Sequence, residues 1–152
     1  MRRINIIAEG RTEVKFIEKI LSEYHLFKDN EIYLSAITIE TSRGHKGGDI
    51  QFHKRYKKEV KRLLKEKDNP IVSSLIDFFR LYKDFPSYDN SKKITNKYEK
   101  IKFLEDSIAK EIEKEIGIDA YRFLPYIQLH EFEALLFSDI KGLKTIILSN
   151  LC

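Results

Sequence analysis

The chain has 152 residues, 42% of them hydrophobic and 34% charged, with a net charge of +4 and a pI near 9.0. That length suits one domain around a single core, and that balance excludes a disordered chain. No apolar run nears the ~18 residues that span a bilayer, and the single cysteine, Cys152, excludes a disulfide framework, so a cytoplasmic protein without membrane contact is expected.

Arg2 and Arg3 precede only a short apolar stretch before Glu9, too brief for a secretory signal. Residues 3–8 read as the first strand, and Glu9-Gly10 follows it as a tight turn. Thr12 is placed to cap a helix over residues 12–24 whose inner face holds Phe16, Ile17, Ile20 and Leu21. Residues 32–39 are rich in β-branched side chains and form the second strand, and residues 41–49 a flexible glycine-bearing loop. Residues 50–67 read as a basic helix with Phe52, Tyr56, Val60, Leu63 and Leu64 as its apolar stripe, broken by Asp68-Asn69-Pro70. The third strand covers residues 71–76 and runs into Asp77, and residues 80–95 form a loop holding Asp84-Phe85-Pro86. A helix over residues 97–116 closes at Gly117, a fourth strand covers 121–129, and another helix starts at His130. Residues 141–152 read as a last helix or as a piece cut from something longer. Strands alternating with helices predict an α/β three-layer fold with a mainly parallel four-stranded sheet and helices on both faces.

Acids mark the ends of three of these strands: Glu9, Asp77 and Glu131. In a parallel sheet those ends share one edge, where open α/β sheets bind their ligands. Glu13 lies about one helical turn beyond Glu9 and can return to the same spot. Clustered carboxylates repel, and a hard divalent cation, Mg²⁺ or Mn²⁺, relieves that repulsion and suits phosphoryl transfer. Each acid also has a plainer reading. Glu13 is favourable in a first helical turn, Asp77 and Asp84 are ordinary turn formers, and Glu131 and Glu133 suit a helix start. Arg43 and Lys46, in the glycine loop, could approach phosphates, although the loop lacks the P-loop ending. Lys54, Arg55, Lys58, Lys61 and Arg62 give the following helix a basic face, which reads either as a track for a nucleic-acid backbone or as a solvated surface.

Several separated segments resemble one bacterial family of unknown function with a Toprim-like opening. Ile6-Ile7-Ala8-Glu9-Gly10-Arg11-Thr12-Glu13 is similar to the Glu-Gly-x-Thr-Glu start of Toprim proteins. Lys46-Gly47-Gly48, Leu75-Ile76-Asp77-Phe78-Phe79, Asp84-Phe85-Pro86 and the run Phe123 to Ser138, with Pro125-Tyr126-Ile127-Gln128-Leu129-His130-Glu131-Phe132-Glu133 inside it, resemble the rest of that family in order. The resemblance covers residues 3–139, so a Toprim-like domain at 1–139 and a truncated C-terminal segment at 140–152 are expected. It implies a Toprim-like Rossmannoid fold related to OLD-type nucleases. Glu9, Glu13 and Asp77 would be the catalytic and metal-holding acids for phosphodiester hydrolysis of DNA or RNA. It further implies an ATPase partner in phage defence or mobile elements, and leaves a homodimer open. Position 79 is Phe where the Toprim Asp-x-Asp has its second aspartate, and Asp84, Glu131 and Glu133 are the acids available to substitute. Phe79 favours the rival expectation, a non-catalytic Toprim-fold subunit that binds an ATPase partner or nucleic acid.

Overall fold

The computed structural model describes residues 2–42, 45–46, 51–117 and 120–130. Strand β1 (Arg2–Ala8) lies between β2 (Ile32–Thr38) and β5 (Ile71–Asp77), parallel to both. Two short strands, β6 (Phe123–Leu124) and β7 (Ile127–Gln128), both pair in parallel with β5. The main sheet therefore has the order β2-β1-β5-β6, with β7 beside β5. This is the predicted α/β parallel sheet, with one correction: the fourth strand is two pieces. Pro125 lacks the N–H that a continuous ladder needs. Ser74 supplies the missing link with its hydroxyl, which accepts from the Tyr126 N–H at 3.0 Å and donates to the Tyr126 carbonyl at 3.1 Å.

Period-two alternation sorts β1 between two layers. Ile6 and Ala8, with Leu34 and Leu75, face helix α1 (Arg11–Phe16) and the π-helical turn Ile17–Leu21 that continues it. Ile7, with Val72 and Ile76, faces the opposite layer. There Val60, Leu63 and Leu64 come from helix α3 (Lys57–Leu64), and Ile101, Leu104, Ile108 and Ile112 from helix α5 (Lys97–Ile116). A one-turn helix, α2 (His25–Lys28), precedes β2, and another, α4 (Tyr88–Ser91), interrupts the predicted 80–95 loop. Helices on both faces of the sheet make this a Rossmann-like three-layer fold.

The long helix matches its expected limits because its signals are local. Asn96 caps it by accepting from the Tyr98 and Glu99 N–H groups at 2.9 and 3.3 Å, and Gly117 ends it at φ +64°. The first helix departs from expectation. It starts at Arg11 after an extended Gly10, so Thr12 lies inside the helix rather than capping it. The predicted flexible loop at 41–49 instead includes a small antiparallel ladder, β3 (Glu40–Ser42) with β4 (His45–Lys46). A π-helical turn at Phe52–Tyr56 leads into α3. Its Phe52 and Tyr56 rings stack within 5.2 and 5.4 Å of Phe85, which ties the Asp84-Phe85 turn to the core.

Candidate functional site

The chain leaves β1 to one side, toward β2, and leaves β5 to the other, toward β6. Connections that diverge in this way open a crevice at the carboxyl ends of the two strands. β1 ends at Ala8, opposite Leu75 of β5, so Glu9 emerges at the edge where β5 runs on to Asp77, which pairs with Gln128 of β7. Beyond Asp77 a single 3₁₀ turn, Phe78–Arg80, carries the chain back over this edge.

Glu9 is the centre of the site. It is only 7% exposed, an unusual state for a carboxylate. Its Oε1 lies 3.3 Å from Nε of Arg80, and its Oε2 is buried and has no hydrogen-bond partner among the described residues. Burial pushes its carboxyl up to about 7. The Arg80 guanidinium and the Asp77 backbone N–H pull the other way, while the charges of Asp77 and Glu13 raise it further. Glu9 therefore feels both Asp77 and Glu13. Glu13 folds back over Gly10: a Cβ at that position would stand 3.0 Å from the Glu13 Oε2. Glycine here lets the second acid lean toward the first. A carboxyl that titrates near neutrality, beside a cation and two further acids, can exchange protons or share a divalent cation. The donor set is all hard oxygen, which fits Mg²⁺ or Mn²⁺. Among the described residues, however, no three His, Cys, Asp or Glu side chains already form a group that could hold a metal ion. On Glu9, the positive charge beside the carboxylate is Arg80.

The other predicted residues divide clearly. Asp84 has a different task from the one expected: its Oδ1 and Oδ2 accept the N–H groups of Phe52 and His53 at 2.9 and 3.2 Å. It caps the π-helical turn before α3, where the backbone donors have no partners within the helix. Phe79 is 67% exposed and brings no acid to the edge. Arg43, Glu131 and Glu133 lie outside the described residues, and Lys46 is described only as backbone in β4. The basic helix is partly neutralised from within. Lys61 pairs with Glu115, and Arg62 pairs with Glu59 at 2.7 Å and Glu66 at 3.2 Å. Lys57 pairs with Glu111 at 3.4 Å and also with Glu115. No ion pair within the described residues engages Lys54, Arg55 or Lys58.

Arg80 is the residue that sequence reasoning missed. Its signal was its place three residues after a strand-ending acid, one 3₁₀ turn from Asp77. A second cleft, of about 830 Å³, opens at the opposite edge of the sheet between Arg2, Arg3, Tyr33 and Arg122. Two of its arginines are committed to the fold. Arg3 pairs with Glu66 and, at 2.8 Å, with Asp68, and Arg122 donates to the Leu64 carbonyl at 2.8 Å.

Among the described residues no helix is long and apolar enough to cross a membrane. No curated protein and no solved structure matches the chain. A family model does match, over residues 8–151, and that span includes both the Glu9 edge and the segment beyond residue 139. The chain belongs to that family, which is described as a domain of unknown function (DUF4276).

Proposed function

We propose that this protein is a Toprim-like, metal-dependent nuclease that hydrolyses phosphodiester bonds in DNA or RNA. The observation that carries the reading is the state of Glu9. It is a buried carboxylate with one orphaned oxygen, at the β1–β5 switch point, coupled to Asp77 and Glu13. Leaving such an oxygen without a partner costs stability, and a cation or a proton would satisfy it. Glu9, Asp77 and Glu13 are the residues that would hold Mg²⁺ or Mn²⁺, with Glu131 and Glu133 as further acids. A bound ion would neutralise phosphate charge and orient water. Without a bound ion, burial pushes the Glu9 carboxyl up to about 7, so an ion that binds there would release its proton. Lys54 and Lys58, which pair with no acid among the described residues, offer charge to a nucleic-acid backbone, joined by Arg43 and Lys46 of the glycine segment. The biological setting inferred from the resemblance is phage defence or a mobile element, with an ATPase partner.

The second reading is a Toprim-fold subunit without catalysis that binds an ATPase partner or nucleic acid. Phe79, exposed where a second aspartate is expected, favours it. Cleavage of plasmid and single-stranded DNA in Mg²⁺, Mn²⁺ or EDTA separates the two. Cutting that needs metal and disappears in Glu9→Ala supports the nuclease. Folded protein that never cuts, in either metal, moves the assignment to the binding subunit.

A further inference from the structure

We propose that Arg80 is a resident counter-cation that holds the metal's place on Glu9 and yields it when a phosphate arrives. The proposal rests on the metal-binding reading of the site. Three observations carry it. The Arg80 Nε stands 3.3 Å from the Glu9 Oε1, close enough to neutralise that oxygen. The other oxygen, Oε2, is buried and unpartnered among the described residues, so the guanidinium satisfies only half of the carboxylate. The two partners also differ in exposure: the Glu9 side chain is 9% exposed and that of Arg80 55%. The carboxylate is fixed and the guanidinium sits at the solvent boundary on a long stem.

That asymmetry sets the direction of exchange. A divalent cation on Glu9 competes with the monovalent one, because both seek the same carboxylate charge. Asp77 and Glu13, the other charged groups felt at Glu9, add negative charge and favour the ion of higher valence. The displaced guanidinium remains tethered one 3₁₀ turn from Asp77. Its planar fork of donors matches a phosphate. Phosphate binding to Arg80 and metal binding to Glu9 therefore reinforce each other, since each removes the contact that opposes the other. A site arranged in this way binds metal more weakly until an anionic substrate is present. It also gives a role to a cation at an edge where Phe79 brings no acid.

The test is calorimetric titration of Mn²⁺ into wild type and Arg80→Gln, each with and without inorganic phosphate. Arg80 is exposed enough for the variant to fold, and a melting curve checks this. Arg80→Gln is expected to bind Mn²⁺ about tenfold more tightly than wild type in the absence of phosphate. Phosphate should strengthen Mn²⁺ binding in wild type and leave Arg80→Gln unchanged. Equal Mn²⁺ affinities in the two proteins, or equal phosphate effects, would overturn the role of Arg80 while leaving the metal site standing. Absence of Mn²⁺ binding from both would remove the metal site and this inference with it.

Discussion

At the scale of single residues, burial holds the Glu9 carboxyl near 7, against an ordinary value of 4.5. The protonated form is the one the fold prefers. Stability from this group is complete below about pH 4.5, declines as the unfolded chain ionises, and is lost once pH passes about 7. Glu9→Gln should match wild type in acid and exceed it at pH 8, by up to about 3 kcal/mol. Urea unfolding at several pH values measures this, and a gap that fails to widen with pH would refute it. Glu9 and Asp77 were legible in the sequence because each ends a compact apolar run, and strand ends need no long-range information. Arg80 was not, since its contact with Glu9 depends on how a 3₁₀ turn returns over the sheet edge. The capping partners of Asp84 were not legible for a related reason: the N–H groups it caps belong to Phe52 and His53, far away in sequence.

At the scale of elements, that distant cap has a measurable weight. Asp84→Ala leaves two backbone donors of the turn before α3 without their acceptor and should cost about 1–2 kcal/mol. Metal binding should be unchanged in this variant, and a loss of Mn²⁺ affinity would return Asp84 to the site. Ser74 has a similar load. It is 2% exposed, accepts from the Tyr56 hydroxyl at 3.0 Å and from the Tyr126 N–H, and donates to the Tyr126 carbonyl. The hydroxyl's one donor and two acceptors are all used. Ser74→Ala should therefore cost about 2–3 kcal/mol, read as a shifted urea midpoint, and near-neutral behaviour would contradict the account. The elements that were legible are those with local signals: α5 has its cap, its apolar spacing and its terminal glycine within its own sequence. The split of β6 from β7 and the ladder at β3–β4 were not, because a strand is defined by the neighbour it finds.

At the scale of the whole molecule, one topological fact locates the site. Parallel pairing on both sides of β1 brings the ends of β1 and β5 together, and alternating strands and helices had already implied that pairing. Charge was harder to read. The basic helix read either as a phosphate track or as a solvated face, and Lys61 and Arg62 are paired with glutamates of α5 and of their own segment. Only the packed structure reveals which lysines keep an unspent charge. Nucleic-acid affinity should therefore fall more, and its salt slope flatten more, in Lys54→Ala and Lys58→Ala than in Lys61→Ala and Arg62→Ala. Fluorescence anisotropy across a salt series checks this, and equal effects at all four positions would reject it.

The central claim is that Glu9, at the edge shared by β1 and β5, is built to share a divalent cation with Asp77. The most direct measurement is anomalous scattering from crystals soaked in Mn²⁺. The account predicts a manganese peak between the Glu9 and Asp77 carboxylates, with the Arg80 side chain moved off Glu9. An edge without a peak, with the Arg80–Glu9 pair intact in saturating Mn²⁺, would contradict it.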